Sequence, residues 1–161
     1  FKKISGWSAG MMALVALLHD VLIAFGVFVI FRIPLDFNFV AVVLTILGYS
    51  INDTIIIYDR MRENQHLYGS SMTREQLANR SINETLSRTL NTTITTILAI
   101  AMICIVAVVC NVESILSFSF PLLVGMLSGT YSTIFIVCPL WCMWQNHKDK
   151  KRPKQYAAKR R

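Results

Sequence analysis

Four stretches of this chain, 7–31, 37–58, 92–110 and 115–144, are apolar almost throughout, and they limit what it can fold into more than any other feature. Each is long enough to cross a hydrocarbon core of ~30 Å, which takes roughly 20 residues of helix. None alternates with the period of two that a membrane strand requires, so helices are expected. With 54% hydrophobic residues among 161, the chain is too apolar for one soluble domain of that length. The expectation is an all-α integral membrane protein. A transmembrane bundle covers 1–145, with helices near the four ranges above and a cytoplasmic loop at 59–91, and a basic cytoplasmic tail covers 146–161.

The net charge of +7 speaks to orientation rather than to nucleic acid. Lys2 and Lys3 precede the first block, Arg60, Arg62, Arg74, Arg80 and Arg88 lie between the second and third, and the remaining Lys and Arg follow the fourth, leaving Arg32 alone on the other side. Positive residues accumulate on the cytoplasmic side of a membrane, so both termini and the 59–91 segment are expected there. The tail from Lys148 to Arg161 reads as an orientation signal and solvated tail, with a membrane-surface or partner-binding segment as the alternative. The first block is too long for a cleaved signal peptide. Opening on Phe1-Lys2-Lys3 without an initiator Met, the chain reads as part of something longer.

Inside the blocks the charged residues are the anomaly, since one facing lipid costs about 3 kcal/mol or more. On the first helix Asp20 falls in a stripe of small residues, Ala9, Ala13, Ala16 and Ala24, of the kind that mediates helix contact. Its neighbour His19 could join it in handling a proton or an ion, or the pair could fix packing. On the second helix Thr45, Gly48, Tyr49, Asn52, Asp53 and Arg60 share one face, with Val42, Val43, Ile46, Ile51, Ile55 and Tyr58 over much of the rest. Asp53 must be protonated, paired or hydrated there, and a functional role is favoured. Beyond it, a turn is expected at Tyr68-Gly69-Ser70-Ser71, then a helix capped by Thr73 with Gln76. Arg88, Thr92, Thr95 and Ala99 recur on one face as the third helix enters the membrane, making Arg88 the best-placed cation to meet Asp53, unless it snorkels to phosphates. On the fourth helix Pro121, Gly125, Ser128, Gly129 and Ser132 form a ridge for close approach, read as packing without chemistry, and Pro139 should bend the end. Cys104, Cys110, Cys138 and Cys142 lack partners at ligand spacing and read as apolar packers, so neither metal nor cofactor is expected. With no nucleophile, metal cluster or phosphate loop, an enzyme is not indicated.

The stretch GYSINDTIIIYDRMREN, from Gly48 to Asn64, resembles the signature of the SecD/SecF family of protein-export membrane subunits, on its SecF side. The LLHD of Leu17–Asp20, SINETLSRTLNTTITT of Ser81–Thr96 and FPLLVGMLSGTYSTIFI of Phe120–Ile136 agree in order and spacing. SecD would carry Val-Asp-Ala where Asn52-Asp53-Thr54 stands. The resemblance implies a relative of the resistance-nodulation-division (RND) transporters, and a chain holding the last four helices of a six-helix unit, either as a fragment or as the end of a fused SecDF. The large external domain of that unit would lie outside it. It implies an accessory of the Sec translocase in the bacterial cytoplasmic membrane that uses the proton motive force to promote preprotein export. Its partners would be SecD, the SecYEG channel and the SecA-driven preprotein. The family's membrane aspartate falls on Asp53 and its arginine on Arg88, with Asp20 and His19 as secondary relay or packing groups. Gly48, Tyr49, Ser50, Asn52, Thr54, Asp59, Arg60, Arg62 and Glu63 carry the motif, and Gly125 and Gly129 pack helices. Two other readings stay open: proton-coupled efflux of small molecules or lipids by an RND relative, and a scaffold whose polar residues only hold the bundle together.

Overall fold

The computed structural model describes residues 6–69 and 71–147 as four helices: α1 (Gly6–Ile30), α2 (Phe37–Tyr68), α3 (Arg74–Val109) and α4 (Glu113–Ser132). α4 runs on through a π-helical turn at Thr133–Val137, so that Glu113–His147 is one long helix. All four are long and apolar enough to cross a membrane. The basic residues Lys2 and Lys3 and the tail from Lys148 lie outside the described residues.

The short links are set by local backbone chemistry. α1 and α3 both end on a left-handed residue, Arg32 with φ 53° and Asn111 with φ 53°. Behind each, the two following N–H groups return to the last turn: Arg32 to Val29 and Ile33 to Phe28, then Asn111 to Val108 and Val112 to Ala107. This is the Schellman closure, found here without glycine. Asp36 caps α2 by accepting from the Asn38 N–H at 2.9 Å.

Within the segment 59–91, expected as a cytoplasmic loop holding a turn and a Thr73-capped helix, the difference lies in its first part, which is helical too. α2 continues unbroken to Tyr68 and α3 begins at Arg74, so a long helical hairpin replaces the loop, with a turn only between them. The α3 start falls where the sequence placed it, while Ser70 of the expected turn lies outside the described residues. Thr73 and Gln76 form a reciprocal capping box, with Gln76 N–H to Thr73 Oγ1 at 3.3 Å and Thr73 N–H to Gln76 Oε1 at 3.0 Å.

The interior has two apolar zones. One gathers Ala9, Met12 and Ala16 with Ile57, Met61, Leu77, Val137 and Trp141, and includes Cys138 and Cys142 as buried packers. The other gathers Ala24 and Phe28 with Val42, Ile46, Ile100, Leu122 and Met126. At the first zone's end, Trp141 and Gln145 donate to Ser8 Oγ at 3.3 and 2.8 Å, and Asn146 donates to Glu75 at 3.0 Å. Between the zones along every helix lies a belt of buried polar side chains: Asp20, Ser50, Asp53, Thr54, Thr89, Thr93, Thr130, Ser132 and Thr133. Polar groups buried at membrane depth hold position by bonding one another.

Candidate functional site

The polar belt has two centres, one on α1 and one on α2. The first is Asp20, fully buried at 0% exposure. Its stripe faces inward, with Ala9, Ala16, Asp20 and Ala24 all buried. Three serine hydroxyls donate to its carboxylate, Ser50 and Ser132 to Oδ2 at 2.8 Å each and Ser128 to Oδ1 at 3.1 Å. His19 Nδ1 sits 3.2 Å from Oδ1, with its ring partly exposed. Ser128 and Ser132 therefore do more than pack, which corrects the reading of the α4 ridge. The small residues also keep the helices close. A Cβ on Gly129 would lie 3.7 Å from Asp20 Oδ2 and 3.5 Å from Ser50 Cβ, so a larger side chain would wedge α4 off the carboxylate.

The second centre is Asp53, 1% exposed, whose Oδ2 has no hydrogen-bond partner. The reason is legible in its neighbours. Thr130 donates to the Met126 carbonyl at 3.1 Å, so Thr93 must donate to Thr130 at 3.1 Å, and Tyr49 to Thr93 at 2.9 Å. The phenol one turn before Asp53 thus has its single proton committed to α3. On α3, Thr85 and Thr92 bond back to carbonyls of their own helix, whereas buried Thr89 Oγ1 has no partner. Thr54, next in the chain, meets Thr133 of α4 at 3.5 Å between hydroxyl oxygens.

Arg88 acts on Asp53 electrostatically, but no ion pair closes between them among the described residues. The face it shares with Thr92 and Thr95 is exposed, and the inward face of α3 is the adjacent stripe Thr85, Thr89 and Thr93. On α2 the division into a polar seam and a greasy back also needs correction. Thr45, Gly48 and Asn52 are exposed, and Ser50, Asp53 and Thr54 share the buried face with Val42, Ile46 and Ile57.

The charged end of the Gly48–Asn64 stretch forms a separate structure on the hairpin. Glu84 of α3 accepts from Arg60 Nε at 2.7 Å, Arg80 Nε at 2.8 Å and Asn64 Nδ2 at 2.6 Å. Asn64 also donates to Ser81 at 3.0 Å, and Arg80 lies 4.0 Å over the Tyr68 ring. Glu63 pairs with Arg60, and Asp59 with Arg62. The Asn64 amide, with Arg80 and Arg60, holds the Glu84 carboxyl down at about 2. Among the described residues no group of His, Cys, Asp and Glu is arranged to hold a metal.

The family model for the C-terminal part of the protein-export membrane proteins SecD and SecF matches residues 5–147. The chain belongs to the SecD/SecF family. Within that family its relatives are SecF proteins. It is 44% identical over 147 residues to the protein translocase subunit SecF of Rickettsia felis, covering 91% of this chain and 46% of that protein. It is 40% identical over 149 residues to SecF of Sebaldella termitidis, with coverage of 92% and 46%. The chain thus spans about half the length of these relatives. A crystal structure of SecDF in a super-membrane-facing form superposes with a TM-score of 0.85 at 36% identity, over 92% of this chain and 20% of that one. SecDF from Thermus thermophilus, described as a translocon-associated membrane protein, superposes with a TM-score of 0.79 at 38% identity, over 88% and 19%. The four helices are accordingly a multi-pass membrane unit of the SecDF kind, SecF-like in sequence.

Proposed function

We propose that this chain is the membrane part of a SecF subunit in which protonation of Asp53 shifts the helix bundle and so couples the proton motive force to preprotein export. The observation that supports this is the Asp53 carboxylate itself, buried in the polar belt with Oδ2 unpartnered. A bilayer-buried carboxylate left without a donor marks a site that must change state to be tolerated. Ionised, it draws the Arg88 guanidinium and is an acceptor only. Protonated, it loses the first attraction and becomes a donor. The force between α2 and α3 therefore differs between two states, which is what a proton needs to bias a conformational equilibrium.

The hairpin end of the bundle faces the cytoplasm, because Arg60, Arg62, Arg74, Arg80 and Arg88 lie on it. The membrane is the bacterial cytoplasmic membrane, and the working assembly includes SecD, the SecYEG channel and a SecA-driven preprotein. Asp20 and His19 belong to the same device. In the full-length protein reconstituted with SecD and SecYEG, Asp53→Asn should lower proton-gradient-dependent stimulation of export roughly 100-fold, the low end of what a proton-transferring side chain supplies. Full stimulation by that variant would refute the role. Depletion that leaves secretion intact while sensitising cells to toxic compounds would favour small-molecule efflux instead.

A further inference from the structure

Along the outer side of α1, beside α2, runs an apolar groove of about 520 Å³. Gly6, Gly10 and Ala13 leave the room for it, Met11 and Leu14 border it, and Ile51 of α2 lines it as well. A Cβ on Gly10 would meet nothing within 4 Å, so no described side chain fills that space.

The bundle sets the length of the groove. From Gly6 to Leu17, the last α1 residue that lines it, the helix rises roughly 16 Å at 1.5 Å per residue. That is about half of a ~30 Å hydrocarbon core, the depth of one leaflet. At the deep end Ile51 adjoins Ser50, whose hydroxyl ties α2 to Asp20 of α1 at 2.8 Å. Beyond it the seam between the two helices is closed by rings, Phe25 and Phe28 of α1 standing 6.2 and 5.1 Å, centroid to centroid, from Phe39 of α2 in edge-to-face contact. A transmembrane helix, about 10–12 Å across and needing the full thickness, does not fit a groove that stops at mid-bundle. One hydrocarbon chain of a lipid does.

The mouth of the groove is cationic. Arg62 of α2 reaches over the start of α1, where a Cβ on Gly6 would lie 4.0 Å from its Nη2. Its pair with Asp59 is loose, 3.5 Å from Nη1 with both side chains at least half exposed, and leaves most of a five-donor guanidinium for another acceptor. α1 carries no acidic residue in its first turn, its N-terminus adds partial positive charge, and Lys2 and Lys3 precede it in sequence. Trp7, 82% exposed beside the mouth, is a side chain of the kind that settles between headgroups and hydrocarbon. A planar guanidinium at the top of an apolar slot of one-leaflet depth matches a phosphate esterified to acyl chains.

We propose that this groove holds one acyl chain of an anionic phospholipid from the leaflet on the hairpin side, with its phosphate bound by Arg62. The lipid ties α1 to α2 at the membrane surface, as the Ser50–Asp20 bond ties them at mid-bundle. The proposal is independent of any role for Asp53.

The test is photolabelling of the full-length protein in phosphatidylcholine vesicles that contain a small fraction of phosphatidylglycerol with a diazirine on its acyl chain, the labelled positions being read by mass spectrometry. Label should concentrate on residues 7–17 of α1. The same diazirine chain on phosphatidylcholine should label them about fivefold less, the worth of one arginine near a membrane surface, and Arg62→Gln should abolish that difference. Gly10→Leu, which fills the groove from a position whose Cβ is unobstructed, should remove the label with an unchanged melting midpoint, whereas Leu18→Phe, on an exposed side chain outside the groove, should leave it. An unlabelled stretch in the wild type would mean that another part of the protein fills the groove. Label surviving Gly10→Leu would mean that chains only brush the helix, and equal labelling by the two lipids would mean that Arg62 selects no headgroup. Each of these three results overturns the proposal.

Discussion

Of the two glycines of α4, Gly125 stands closer to α2, and replacing it gives a prediction with a magnitude. A Cβ built on Gly125 would overlap Ile46 Cδ1 and stand 2.8 Å from Ile46 Cγ1. Carbon atoms rest at about 3.5–4.0 Å, so the contact must open by roughly 1 Å or more. Ile46 is 1% exposed and packed in the zone of Ala24, Phe28, Val42 and Met126, which leaves it no free volume to enter. Either its side chain leaves its rotamer or the two helices part, and overpacking of this kind costs about 1–3 kcal/mol. Ile46→Ala removes both offending atoms and alone creates a cavity costing about 2–5 kcal/mol. When Gly125→Ala and Ile46→Ala are combined, the methyl introduced on α4 occupies part of that cavity, so the double variant should be more stable than the sum of the singles by at least about 1 kcal/mol. Reversible unfolding of the protein in mixed micelles measures all three. Additivity within about 0.5 kcal/mol would show that Gly125 and Ile46 do not meet as described. The same spreading would draw Ser50, one turn beyond Ile46, away from Asp20, so Gly125→Ala should also weaken the polar belt.

Arg32→Gly should stabilise the bundle by about 1 kcal/mol, because a left-handed backbone strains every side chain but glycine, and Asn111→Gly should give less because Asn tolerates that conformation; thermal unfolding in detergent reports both. For Glu84, the folded value near 2 lies below its ordinary 4.5. The clamp therefore contributes fully above about pH 4.5 and is lost as pH falls toward 2. Melting midpoints measured across that window should drop in the wild type, and Glu84→Gln should start lower and lose that step. An unchanged acid profile in Glu84→Gln would mean that the hairpin does not depend on this carboxylate.

How much of this was legible in the sequence depended on whether a residue type has one meaning or two. Asp20 among alanines could be oriented from periodicity alone, since a charged residue in a small-residue stripe has one tolerable direction. The Thr73 cap could be placed for the same reason, its reciprocal bonds being local. Ser128 and Ser132 were opaque because serine is both small and a hydroxyl donor, and spacing along α4 fits either use. On α2, Asn52 and Asp53 share an edge of the helical wheel, and only the docking of α4 decided that Asp53 and Thr54 turn in while Asn52 turns out. Thr89 and Thr93 lay beside the face that Arg88 drew attention to. Glu84 gave no signal of its own, because its three donors come from both arms of the hairpin.

The clamp at Glu84 also has a mechanical consequence. By tying Arg60 and Asn64 of α2 to α3, it makes the two protruding arms a single stiff beam continuous with the membrane helices. Tyr68 stands roughly 22 Å along α2 from Asp53 at 1.5 Å per residue. A rotation of about 10° about Asp53 would carry the tip roughly 4 Å, comparable to the helix displacements that switch other bistable assemblies. Under the proposed role of Asp53, such a beam would turn a change of a hydrogen atom's position at mid-bundle into a displacement at the membrane surface large enough for a neighbouring protein to feel.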